Sequence, residues 1–208
     1  MLSTIFTISI SAILIENLVL SKFLGIDPFL GFSKKPSGAL SMGLSVTFVL
    51  TIASALIWFV QKYILLKFKL EFLQIAIYML IIVCVIQLIE ILIKKFIPVL
   101  NKILGKNLSL IAVNSAVLGI TLINLDTVKY PTLIYAVVTG FMSGVGFLVV
   151  ILIFSIIMDR IEVASDIPES FKGAPIALIS AAIMAMIFMA FNNMDTDKMI
   201  INLQSLFR

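Results

Sequence analysis

The chain has 208 residues, of which 62% are hydrophobic and 12% charged, with a formal net charge of +4. A soluble chain is roughly half apolar and a quarter charged, so a water-soluble fold of this size could not hide so much apolar surface, whereas a bilayer removes the need to hide it. One cysteine and no histidine exclude an intrachain disulfide, a four-ligand zinc site and histidine acid–base chemistry within this chain.

The lysines stand between apolar runs and form no tract or stripe. That pattern argues against nucleic acid as a partner and for charged loops at a membrane surface. A helix needs about 20 apolar residues to cross the hydrocarbon core. Six runs qualify as spans, at about 2–24, 38–61, 71–93, 108–124, 131–157 and 174–192. The expected class is therefore an all-α integral membrane protein, a single membrane domain over residues 1–208.

The first run has no basic start and no small-residue cleavage site, so it reads as a retained helix and not a removed signal peptide. It contains Glu16 and Asn17, in S-A-I-L-I-E-N-L-V-L. A carboxylate at membrane depth costs roughly 2.5 kcal/mol or more unless paired or hydrated. Glu16 and Asn17 mark either an ion or proton path or a buried polar knot in which Glu16 pairs with Asn114 or with backbone groups of the fourth run. The run ends in G-I-D-P-F-L-G, residues 25–31. Pro28 lacks an N–H and disfavours helix at Asp27. Residues 25–37 read either as an interrupted helix or as an interfacial loop; unwound backbone inside a membrane needs protein or water around it.

In the third run, Glu90 stands four residues before Lys94, a spacing that suits an ion pair near the interface. The fourth run is short and holds Asn114, Ser115 and Gly119, so it too reads as broken. The fifth carries Gly140, Gly144 and Gly146, a small-residue stripe that lets another helix approach closely. Residues 159–173 read as a polar, mixed-charge connection or partner surface.

The order of features suggests two halves, about 1–95 and 105–195, each opening with a broken span and continuing with two ordinary ones. Three spans per half make the halves opposite in orientation, which is an inverted repeat with its site where the two odd helices meet. Lys34, Lys35, Lys94, Lys95 and Arg160 fall on the more basic side. The positive-inside rule puts that side in the cytoplasm and both termini outside the inner membrane.

Three stretches carry a resemblance: L-I-E-N-L-V-L-S-K-F-L-G-I-D-P-F-L-G-F-S-K-K at 14–35, S-L-I-A-V-N-S-A-V-L-G at 109–119, and F-K-G-A-P-I-A-L-I-S-A-A-I-M-A-M-I-F-M-A-F at 171–191. They resemble the A subunit of the Rnf electron-transport complex and the E subunit of the sodium-translocating NADH:quinone reductase. The first stretch follows the A-subunit version more closely. The resemblance implies six helices in two inverted halves and a homologous six-helix E-type partner of opposite orientation. It also implies neighbouring flavin- and iron–sulfur-bearing subunits. The complex couples ferredoxin:NAD oxidoreduction to sodium or proton transport. Family members share a 2Fe-2S cluster between the two homologous subunits, each giving two cysteines.

Those cysteines would fall at Asp27 and Ser115 here. Thiolates hold such clusters in nearly all cases, and a carboxylate is a harder ligand while a serine hydroxyl is a poor one at neutral pH. Cys84 lies in the third run, away from both positions in sequence. An ordinary shared cluster is not expected of this chain. Asp27 and Ser115, with Glu16, Asn17 and Asn114, are instead candidates for a cation or proton site. The competing expectation is a non-redox paralogue serving as a structural subunit or a small ion or solute transporter. No flavin or nucleotide motif is present, so no catalytic activity is expected of this chain alone.

Overall fold

A computed structural model of the chain describes residues 2–26, 36–96, 115–123, 132–164 and 167–193. Among the described residues the structure is helix and turn, with no strand. The first element, α1, is an α-helix at Leu2–Ile10 that runs on as a π turn at Ser11–Ile15. Helix α2 covers Pro36–Val60, continues through a π turn at Gln61–Leu65 and ends with Leu66–Phe68. The remaining helices are α3 at Gln74–Phe96, α4 at Ser115–Ile123, α5 at Leu133–Ala164 and α6 at Ala174–Met189.

Three of these are long and apolar enough to cross a membrane: Pro36–Phe68, Gln74–Ile91 within α3, and Leu133–Val163 within α5. Hydropathy put spans in all three places because apolar length is itself the requirement. The first span differs. A helix through residue 24 was expected, and it stops at Ile15. Local side-chain hydrogen bonds to the backbone end it, and hydropathy does not register them. Helix α5 runs seven residues past its expected end, so the connection expected at 159–173 begins as helix. Of the fourth span, residues 108–114 and 124 lie outside the described residues.

The 33 residues of Pro36–Phe68 make a helix about 50 Å long, against a hydrocarbon core of about 30 Å. Even with tilt a helix of that length carries an end beyond the core, and the side chains near Lys62 mark the last turns as that end. There the Lys62 ammonium lies 4.6 Å from the centre of the Trp58 ring. Phe59 and Tyr63 stack with centroids 5.9 Å apart. Aromatic rings and a long cationic side chain suit a membrane–water interface, where one end of each group is apolar and the other wet. Lys69, in the left-handed region at φ 55°, stops the helix, and the Leu70 N–H bonds back to the Leu65 carbonyl. The buried Tyr78 hydroxyl of α3 donates to Gln61 Oε1 at 2.5 Å and ties α3 to this end of α2.

Helices α2 and α5 form the centre. Gly43 faces Leu148, Thr47 faces Gly144, and Leu50 and Ser54 face Gly140. Numbers rise along one helix as they fall along the other, so the pair is antiparallel. Lys62 and Arg160 consequently stand at opposite ends. A Cβ on Gly144 would lie 2.6 Å from the Thr47 Cα, so these backbones touch only because the side chain is absent. Gly146, two residues on, points to another face. It gives room to α1, where a Cβ would lie 3.1 Å from both Ile13 Cα and Asn17 Nδ2. The glycine stripe expected to serve packing thus serves two different contacts.

Fully buried Met42, Val46 and Leu50 of α2 and Phe147, Ile151 and Phe154 of α5 fill the seam. Around this pair, α1 packs on α5, α4 on α2 and α3, α3 on α2, and α6 on α5 and on the π turn of α1. Leu80, Leu88 and Ile91 of α3 and Met186 and Ile187 of α6 are exposed, apolar faces suited to lipid or to another membrane subunit.

Candidate functional site

The first break is built by Asn17. Helix α1 closes with the Glu16 N–H bonded to the Ser11 carbonyl at 2.7 Å, the five-residue spacing of a π turn. Asn17, wholly buried, then uses both ends of its amide. Its Nδ2 donates to the Ile13 carbonyl at 2.8 Å, and its Oδ1 accepts the N–H groups of Val19 and Leu20 at 3.0 and 3.3 Å. That is a side chain standing in for helical backbone on both sides of a break. The Ser21 hydroxyl donates to the Ile15 carbonyl at 2.8 Å, so a further freed carbonyl is matched.

The chain then makes one tight turn. The Ser21 and Lys22 N–H groups bond to the Asn17 carbonyl, and the Leu24 N–H bonds to the Leu18 carbonyl at 2.8 Å. Phe23 at φ 55° takes the left-handed position that closes a helical turn. Gly25, at φ 78°, needs the freedom of a residue without Cβ.

The turn delivers Gly25 to the second half of the chain. Its N–H donates to Ser115 Oγ at 2.8 Å, across 90 residues of sequence. One turn along α4, Leu24 occupies the space left by Gly119, where a Cβ would overlap Leu24 Cδ1. Gly25 is buried, as are Ala116 and Val117 beside Ser115. The two segments expected to be broken therefore meet inside the fold.

The expected site residues are distributed as follows. Ser115 is at the contact, and Asn17 and Glu16 are at the break that aims the chain toward it. Glu16 is half-buried and ends α1. Asp27 and Asn114 lie outside the described residues, although each adjoins the Gly25–Ser115 contact in sequence. Cys84 is exposed on α3. Among the described residues no three histidine, cysteine, aspartate or glutamate side chains are grouped to hold a metal. Sequence reading missed the capping roles of Asn17 and Ser21. The available signal was E-N-L-V-L-S, an Asn–Ser pair four residues apart in an apolar run, both residue types that favour bonding to backbone over continuing a helix.

This arrangement defines a polytopic helical membrane protein with an interrupted-helix junction. The profile of the Rnf-Nqr family, described as "Rnf-Nqr subunit, membrane protein", matches residues 5–195. A protein of Ectopseudomonas mendocina, named as the A subunit of an ion-translocating oxidoreductase complex, is 42% identical over 184 residues, covering 88% of this chain and 94% of that one. Proteins of the same name from Glaesserella parasuis and Vibrio cholerae are each 42% identical over 185 residues, covering 89% of this chain and 94% of theirs. The chain belongs to the Rnf-Nqr family of membrane subunits.

Proposed function

We propose that this chain is the A-type membrane subunit of an Rnf-type ion-translocating oxidoreductase complex. It lies in the inner membrane with both termini outside and contributes to transmembrane electron transfer and coupled sodium or proton transport. Its partners are a homologous six-helix E-type subunit, together with the flavin- and iron–sulfur-bearing members of the assembly. Catalysis belongs to the assembly and not to this chain alone. The observation that carries the reading is the meeting of Leu24 and Gly25 with Ser115 and Gly119, in a chain 42% identical to proteins named as that subunit.

The architecture in this reading is six spans in two inverted halves, 1–95 and 105–195. The packing pattern supports it. Exchanging α1 with α4, α2 with α5 and α3 with α6 maps the neighbours onto themselves. The α1–α5 contact becomes α4–α2, α2–α3 becomes α5–α6, and α3–α4 becomes α6 against the π turn of α1. The two antiparallel central helices are each other's counterparts, as an inverted repeat requires.

The ion or proton path runs by Glu16, Asn17, Asp27 and Asn114. The C-terminal end of a helix carries partial negative charge and favours a cation, and Glu16 adds a carboxylate at the end of α1. Asn17 holds the break open through its three backbone bonds.

A second reading, a non-redox paralogue acting as a structural subunit or small transporter, is favoured by Asp27 and Ser115 at the family's cysteine positions. Purification of the tagged full chain from its native membrane separates the two. Co-purification with flavin- and iron–sulfur-bearing subunits is expected; isolation without them overturns the A-subunit reading. In vesicles of that assembly, Glu16→Gln is expected to abolish ion uptake while the subunits still co-purify. Unchanged uptake would remove Glu16 from the path.

A further inference from the structure

The resemblance implies a shared iron–sulfur cluster at the junction, and the residues present do not fit one. Ser115 offers a hydroxyl, which would have to lose its proton to become a strong iron ligand. Its oxygen already accepts the Gly25 N–H at 2.8 Å. Gly25 is buried, and a buried N–H without an acceptor is costly, so that bond has a structural function of its own. One turn along the same helix, Leu24 fills the space above Gly119. Two consecutive residues of the first segment therefore grip two positions of α4 four residues apart, one by a polar contact and one by an apolar one. The remaining thiol, Cys84, is exposed on α3.

Resting on the A-subunit reading, we infer that this chain contributes no ligand to an iron–sulfur cluster and that a serine–backbone bond, seated beside the Leu24–Gly119 contact, closes its junction in place of metal. The junction then forms without iron. Ser115 is a positioning residue: it fixes Gly25, and through Gly25 the entry of the following segment, against α4. The bond suits serine because its oxygen is compact and a good acceptor, whereas a thiol sulfur is larger and accepts weakly.

The test uses the full chain purified in detergent, alone and co-expressed with its E-type partner, from iron-replete and iron-starved cells. Iron is measured by mass spectrometry and a cluster by electron paramagnetic resonance after dithionite reduction. The expected result is no iron and no cluster signal in the chain alone, and the same melting temperature from both cultures. Ser115→Ala is expected to lower the melting temperature by about 2–4 °C, the size of one net hydrogen bond in a chain of this length. Ser115→Thr, which keeps the hydroxyl, is expected to restore most of that loss.

Stoichiometric iron in the wild-type chain purified alone, whether or not it is lost in Ser115→Ala, would overturn the inference. So would a Ser115→Ala variant as stable as wild type. If Ser115→Ala does not accumulate, the wild-type iron content and the Ser115→Thr melting temperature still decide. The two proposals fail separately. Failure to assemble with other subunits counts against the A-subunit reading and leaves the iron result standing, while iron in an intact pair that depends on Ser115 counts against this inference alone.

Discussion

Replacing Gly144 by alanine adds a single methyl group at the tightest point of the central helix pair. The new Cβ would lie 2.6 Å from Thr47 Cα and 2.9 Å from Thr47 Cβ and Cγ2. Carbon atoms rest at about 3.5–4.0 Å, so the contact is short by about 1 Å. The nearest atom belongs to the backbone of α2, and no rotamer change moves it. The helices must part, and parting loosens Leu148 over Gly43 on one side and Ser54 over Gly140 on the other. Overpacking of this kind costs about 1–3 kcal/mol. For a chain of this length, 2 kcal/mol corresponds to roughly 4–8 °C in melting temperature. The assay is thermal unfolding of the purified chain in one detergent, with Ile156→Ala on the exposed face of α5 as the control. A Gly144→Ala variant as stable as wild type, or less affected than Ile156→Ala, would refute the close approach of α2 and α5.

Other consequences are equally direct. Asn17→Ala removes three bonds at once and should cost about 1–3 kcal/mol for each buried backbone group left unmatched; the same melting assay should show it far more affected than Ser9→Ala, whose single bond lies within one helix. Tyr78→Phe leaves the buried Gln61 Oε1 without its donor and should destabilise by about 1–3 kcal/mol, with equal stability counting against the α2–α3 tie. Cys84→Ala should leave melting temperature and subunit co-purification unchanged, because the thiol is exposed and distant from the junction in sequence. Trp58 is the sole tryptophan and packs near Lys62, so in reconstituted vesicles brominated lipids labelled near the headgroup should quench it more than lipids labelled deep in the chain. The reverse order would move the end of α2 into the hydrocarbon.

Membrane residence and the long central spans were legible from the sequence, because a run of apolar residues is both the signal and the physical requirement. α2, α3 and α5 follow from that alone, and so does the start of α6, where Pro175 sits in the first turn and needs no N–H partner. The glycines of α5 announced a close contact, but periodicity could not say that Gly140 and Gly144 face α2 while Gly146 faces α1. That division depends on which helices lie on either side.

The breaks tell the same story at finer scale. Pro28 drew attention to residues 25–31, whereas the first helix already stops at Ile15. Asn17 is a cap only because the chain turns there and presents Val19 and Leu20 to its oxygen. In a continued helix the same side chain would have no such partners.

Composition, then, settled which solvent surrounds the chain and which segments are long enough to cross it, since transfer from water to lipid is a sum over residues and ignores their arrangement. Tertiary structure alone decided that the amide of Gly25 finds the hydroxyl of Ser115. Such a bond is a property of two points brought together by packing, and nothing in either local sequence encodes the distance between them.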